Sequence, residues 1–84
     1  MYLTTYEFDT LYLLAKRPGW VFSRERIYNL IWDEPYDFNE WSIIHTIRKL
    51  RKKIGDDSKC PQYILTIRGE GYKFNPVFKN EIEG

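Results

Sequence analysis

Apolar and polar positions alternate most clearly between Trp41 and Ile54, where they do so with a helical period. At about 100° per residue, Ile43, Ile47, Leu50 and Ile54 fall in one narrow stripe, while Ser42, His45, Arg48, Lys49 and Lys52 spread over the opposite face. The spacing predicts a helix from near Glu40 to Ile54, closed by Gly55 at the C′ position. Two shorter helices precede it. Thr4 and Glu7 have capping-box spacing; Phe8, Leu11, Leu14 and Ala15 then form an apolar stripe. Lys16 and Arg17 complement the negative helix end before Pro18-Gly19 stops it. Ser23 caps the second helix with Glu25 in its first turn, but Arg26 stands where a full capping box needs Glu or Gln. Ile27, Leu30 and Ile31 are expected to attach this helix to the core, and it closes near Trp32. Between the helices, Trp20-Val21-Phe22 reads as an extended connector and residues 33–39, with Pro35 among them, as a loop. Met1-Tyr2-Leu3 is at most the stub of a strand.

After a polar connection from Asp56 to Pro61, the pattern changes. Tyr63-Ile64-Leu65-Thr66-Ile67 is rich in β-branched and aromatic residues, Tyr72-Lys73-Phe74 mirrors it, and Arg68-Gly69-Glu70-Gly71 between them predicts a tight hairpin. The expected architecture is α+β: three helices, the last two forming a helix-turn-helix with a somewhat long turn, and a C-terminal β-hairpin as a wing.

Charge sharpens this picture. The whole 84-residue chain carries only +1, but residues 1–40 hold four basic and seven acidic side chains, against nine and five in residues 41–84. Five of the nine lie between Trp41 and Lys53 (Arg48, Lys49, Arg51, Lys52, Lys53), with no acid among them. A helix with that positive face suits a polyanion, and its width suits the DNA major groove; a merely solvated surface helix is the plainer alternative. Arg68 at the hairpin bend has the same two readings, a groove or phosphate contact or a solvated turn charge. One domain of this length has a small core, which 3 Trp, 7 Tyr and 5 Phe help to fill. Cys60 is the only cysteine and His45 the only histidine, so an internal disulfide is excluded, a reducing cytoplasmic setting is expected, and no metal site, cofactor or nucleophile–base pair suggests an enzyme. No apolar run is long enough to span a membrane.

Taken in order, several short motifs make residues 3–74 resemble the winged-helix output domain of OmpR/PhoB-type two-component response regulators, leaving 75–84 as a tail. They are Leu3-Thr4-x-x-Glu7-Phe8, Ser23-Arg24-Glu25, Trp32, Ile47-x-x-Leu50-Arg51-x-Lys53-Ile54 and Thr66-Ile67-Arg68-Gly69-x-Gly71-Tyr72. The resemblance implies sequence-specific binding of double-stranded DNA. It implies base contacts by Ser42, His45 and Lys49, with Ile44 beside them, and phosphate contacts by Trp32, Trp41, Thr46, Arg48, Arg51, Lys52, Thr66 and Tyr72. Arg68 would enter the minor groove. The loop with Asp33, Glu34, Tyr36 and Asp37 would meet RNA polymerase, and protomers, as homodimers or in tandem, would sit on direct repeats.

The chain also departs from the family pattern. Trp41 replaces a common polar or basic phosphate contact, Ile44 an acid that orients a basic neighbour, and Glu70 puts a carboxylate at the wing tip. These departures keep a second expectation open, a winged helix that binds protein and holds DNA only non-specifically. Family members carry a four-stranded sheet and a receiver domain with a phosphorylated aspartate ahead of the first helix. Only Met1 to Leu3 match, as the last strand, so the chain is expected to be a cut piece or a minimal protein. Phe8, Tyr12 or nearby apolar groups are then expected to contribute to an exposed patch, covered by another copy or element.

Overall fold

The computed structural model describes residues 2–32, 34, 36, 41–57 and 59–76. Its elements are α1 (Thr5–Ala15), α2 (Arg24–Ile31), α3 (Trp41–Ile54), β1 (Ile64–Ile67) and β2 (Gly71–Phe74). Residues 2–4 form no strand, so the expected stub is absent among the described residues there.

Helix α1 begins as its sequence predicts. Glu7 N donates to Thr4 Oγ1 at 3.2 Å and Thr4 N to Glu7 Oε1 at 2.9 Å, so both bonds of the capping box are present. The buried line of the helix, however, is Glu7, Thr10 and Leu14, rotated by about one position from the predicted stripe. Phe8 is 57% exposed, and only Leu14 of the expected apolar set is fully buried. Polar groups can line this face because each is bonded: Thr10 Oγ1 donates to Tyr6 O at 2.7 Å, and Glu7 Oε1 also accepts from Lys53 Nζ of α3 at 2.6 Å. The rotation leaves Phe8 and Tyr12 on the outside, stacked 6.3 Å apart, as the exposed pair that the sequence predicts.

Burial alone raises the Glu7 pKa. The hydrogen bond from Lys53, those from Thr4 and the Lys53 charge outweigh it, and the carboxyl is held below its ordinary value. A depressed folded pKa adds stability that is fully present above the unfolded-chain value of about 4.3 and is lost as pH falls through the folded pKa. Glu7→Gln should therefore lower the urea midpoint at pH 6, and the gap to the wild type should close by pH 3. A gap of the same size at both pH values would contradict the pairing.

Helix α2 starts at the Ser23 cap, whose Oγ accepts from Arg26 N at 3.1 Å. Ile27 and Tyr28 are buried and Ile31 half-buried, but Leu30 is 56% exposed and does not anchor the helix. Tyr28 takes that part instead. Trp32 is stacked between Tyr6 (4.5 Å) and Tyr28 (5.3 Å), and this ladder ties the end of α2 to α1. Helix α3 buries Ile43, Ile47 and Leu50, with Ile54 half-buried, as its stripe predicts. It closes at Gly55 through a bond from Asp56 N to Arg51 O at 2.8 Å, the long bond of a Schellman motif.

Strands β1 and β2 pair antiparallel from Ile64↔Phe74 to Ile67↔Gly71. The bend is an i to i+3 turn, with Glu70 N donating to Ile67 O at 2.9 Å and Gly69 at φ +78, where a type II turn requires glycine. The extended connector adds one bridge on the far side of β2: Phe22 N donates to Tyr72 O at 2.8 Å and Tyr72 N to Phe22 O at 3.0 Å. The hairpin is thereby attached to the segment joining α1 and α2.

Candidate nucleic-acid interface

With its back pinned by three buried aliphatic residues, α3 presents His45, Arg48, Lys49 and Lys52 to solvent, with Ser42, Ile44 and Thr46 half-buried along the margins. Ser42, His45 and Lys49 are spaced by three and four residues, so they form one ridge along the helix. Trp41, 59% exposed, lies at the start of a second ridge. Its ring is 6.1 Å from that of His45, and the Arg48 guanidinium lies 6.0 Å from its centroid. The tryptophan thus orders two neighbours at the N-terminal end of the ridge, in a position where the resemblance implies a phosphate contact.

Two of the five basic residues are engaged by partners within the protein. Lys53 is taken up by Glu7. Arg51 Nη2 donates to Ile64 O at 2.8 Å and Thr66 Oγ1 at 2.7 Å, both on β1. The outward field of α3 therefore comes from Arg48, Lys49 and Lys52. Ile44, Ile47, Arg48, Arg51, Lys52 and Tyr72 line a concavity of about 470 Å³ between α3 and the hairpin, with Asp56 and Asp57 at its lower end. Tyr72 is only 4% exposed, and the Arg24 and Arg51 guanidiniums lie 5.6 and 5.9 Å from its ring. Thr66 and Arg68 are exposed on the hairpin, as is Glu70 at its tip. Trp32 is half-buried in its aromatic ladder. In the loop before α3, Glu34 is exposed and accepts from the Tyr28 hydroxyl, while Tyr36 meets Tyr28 edge-on at 5.4 Å. Asp33 and Asp37 lie outside the described residues.

Two contributors have no place in the sequence-based site. Arg24 reaches Tyr72 from the first turn of α2, and its position after the Ser23 cap was the only available signal. Asp56 is buried, and its carboxylate accepts from Gln62 N, Tyr63 N and Ile64 N at 2.7–3.4 Å. It anchors the start of β1 to the end of α3.

A helix-turn-helix whose second helix exposes a basic ridge beside a β-hairpin defines a winged helix of the DNA-binding transcription-regulator class. Residues 1–74 match the family model described as "Transcriptional regulatory protein, C terminal", and the chain belongs to that family. It is 47% identical over 72 residues to the uncharacterized transcriptional regulatory protein YcbL of Bacillus subtilis, covering 84% of this chain but 31% of YcbL. The chain thus spans about a third of that relative. Among solved structures, the DNA-binding domain of RstA from Klebsiella pneumoniae, in complex with the RstA box, superposes with a TM-score of 0.83 at 35% identity, over 89% of this chain and 74% of that one. The response regulator DrrB of Thermotoga maritima, an OmpR/PhoB homologue, gives 0.78 at 36%, over 88% and 33%. The DNA-binding domain of CpxR from E. coli gives 0.73 at 34%, over 87% and 72%. No helix among the described residues is long and apolar enough to cross a membrane.

Proposed function

We propose that this domain binds double-stranded DNA sequence-specifically to regulate transcription, as the output part of a cytoplasmic two-component response regulator, and that its role is binding rather than catalysis. The observation that carries the reading is the ridge Ser42, His45 and Lys49, held outward by the buried back of α3 and flanked by the exposed cations Arg48 and Lys52. In the major groove, Lys49 donates to guanine O6 and N7, Ser42 and His45 meet neighbouring base edges, and Ile44 lies against a thymine methyl. Arg48 and Lys52 take phosphates and release counterions, with Thr46, Thr66, Trp32 and the Trp41 edge as further backbone contacts. Arg68 enters the adjacent minor groove from the hairpin bend. The complex of the related RstA domain with the RstA box supports double-stranded DNA as the ligand. Protomers occupy direct repeats, and the loop containing Glu34 and Tyr36 faces RNA polymerase.

Base-reading and phosphate-binding side chains separate in a binding titration. Lys49→Ala should change the preferred sequence, costing about 1–3 kcal/mol on the best duplex and little on others. Arg48→Ala should weaken all duplexes alike and reduce the salt slope by about one. Identical sequence profiles and salt slopes for the two variants would contradict this division.

A further inference from the structure

The Arg51 side chain leaves the recognition helix and ends in the hairpin. Its Nη2 reaches two acceptors on β1, Ile64 O at 2.8 Å and Thr66 Oγ1 at 2.7 Å, while the guanidinium lies 5.9 Å from the Tyr72 ring on β2. Thr66 and Tyr72 are register partners, so one guanidinium holds both strands at the same rung. Its Nε is buried with no acceptor among the described residues, which shows how far the group is drawn into the joint. Two residues beyond Thr66 lies Arg68, at the bend.

We propose that Arg51 is a positioning residue: it fixes the hairpin against α3, and so sets the distance between Lys49 in one groove and Arg68 in the next. This deepens the DNA-binding reading and rests on it. It also gives Arg51 a different task from its exposed neighbours Arg48 and Lys52, which have their charge to offer a phosphate. A planar fork suits this joint, because it donates to two acceptors while lying over a ring; a lysine ammonium does so poorly.

The test combines Arg51→Ala and Arg51→Lys with Arg68→Ala, titrated on one selected duplex. In the wild type, Arg68→Ala should cost about tenfold in affinity, a typical loss for one groove contact. With Arg51 replaced by alanine or lysine, the hairpin no longer delivers Arg68, and the same change should cost less than about twofold. If Arg51 acts only as a charge on a phosphate, Arg51→Lys restores binding and the Arg51→Ala and Arg68→Ala losses multiply; either result overturns the proposal. Amide hydrogen exchange of the free protein judges the joint without DNA. Arg51→Ala should speed exchange in β1 and β2 and leave α1 to α3 unchanged, and unchanged hairpin exchange also overturns the proposal. A wild-type chain that bound no duplex would remove the DNA reading, while the exchange result would still decide whether Arg51 holds the hairpin.

Discussion

Replacing Gly71 by alanine should cost the fold more than about 3 kcal/mol, the largest loss expected of any single methyl group in the molecule. Gly71 opens β2 at φ +142, a conformation that L side chains rarely adopt. A Cβ there would lie 2.0 Å from Phe22 O and 2.8 Å from both Phe22 C and Ser23 Cα. All three are backbone atoms, so no side chain can swing aside to relieve the overlap. The connector would have to retreat from β2, and retreat breaks the paired hydrogen bonds between Phe22 and Tyr72. It would also disturb the Ser23 cap, which is the next residue along. For a small domain with about 5 kcal/mol to lose, the variant should be largely unfolded at 37 °C. Urea denaturation followed by circular dichroism measures the loss, and a change below about 1 kcal/mol would show that the connector and β2 do not approach as described.

Asp56→Ala should also be costly, at about 2–4 kcal/mol. Its carboxylate accepts from three successive backbone amides, Gln62, Tyr63 and Ile64. The Ile64 end of this set is in the core, so removing the acceptor leaves a buried donor unbonded rather than returning it to water. Asp57 next to it provides the control. It is exposed and accepts one local bond, from Lys59 N, so Asp57→Ala should cost a small fraction as much. Asn at position 56 should fall between, since it keeps one carbonyl acceptor and loses the charge. Equal urea midpoints for Asp56→Ala and Asp57→Ala would contradict the assignment. Because β1 starts where Asp56 holds it, the loss should also appear as weaker DNA binding, with the hairpin no longer set against the recognition helix.

Much of the fold was legible from periodicity and local chemistry. The stripe of α3 required no tertiary information, because Ile43, Ile47 and Leu50 repeat at helical spacing and nothing polar interrupts them. The Thr4–Glu7 box and the glycine-bent hairpin were readable for the same reason: each is completed within a few residues. Helix α1 misled because it is apolar on two sides. Phe8 and Leu11 have the look of a core stripe, and only the partners Lys53 and Tyr6 O show why Glu7 and Thr10 occupy the interior instead. Leu30 failed similarly, since the stack of Tyr28 on Trp32 is completed by Tyr6 of α1, a partner that the sequence of α2 does not announce.

The site was legible as a helix face but not as a distribution of charge. Helical spacing gives the direction in which a side chain departs, not where a long one ends. Lys53 and Arg51 were therefore counted with the outward field, although one closes on Glu7 and the other on the hairpin. Trp41 was read from the resemblance as a phosphate contact, and its place beside His45 and Arg48 was not legible from that. Asp56 belonged to a connection that reads as merely polar, because the amides that donate to it lie six to eight residues further along the chain.

The most direct measurement is fluorescence anisotropy of the chain with a duplex selected from a random pool and with a scrambled duplex of the same composition, from 50 to 200 mM salt. The outward ridge and its flanking cations predict that affinity for both falls as a power of salt, while the selected duplex stays tighter by about 10³ or more. Equal affinity for the two duplexes, or affinity indifferent to salt, would contradict the proposal that α3 reads DNA.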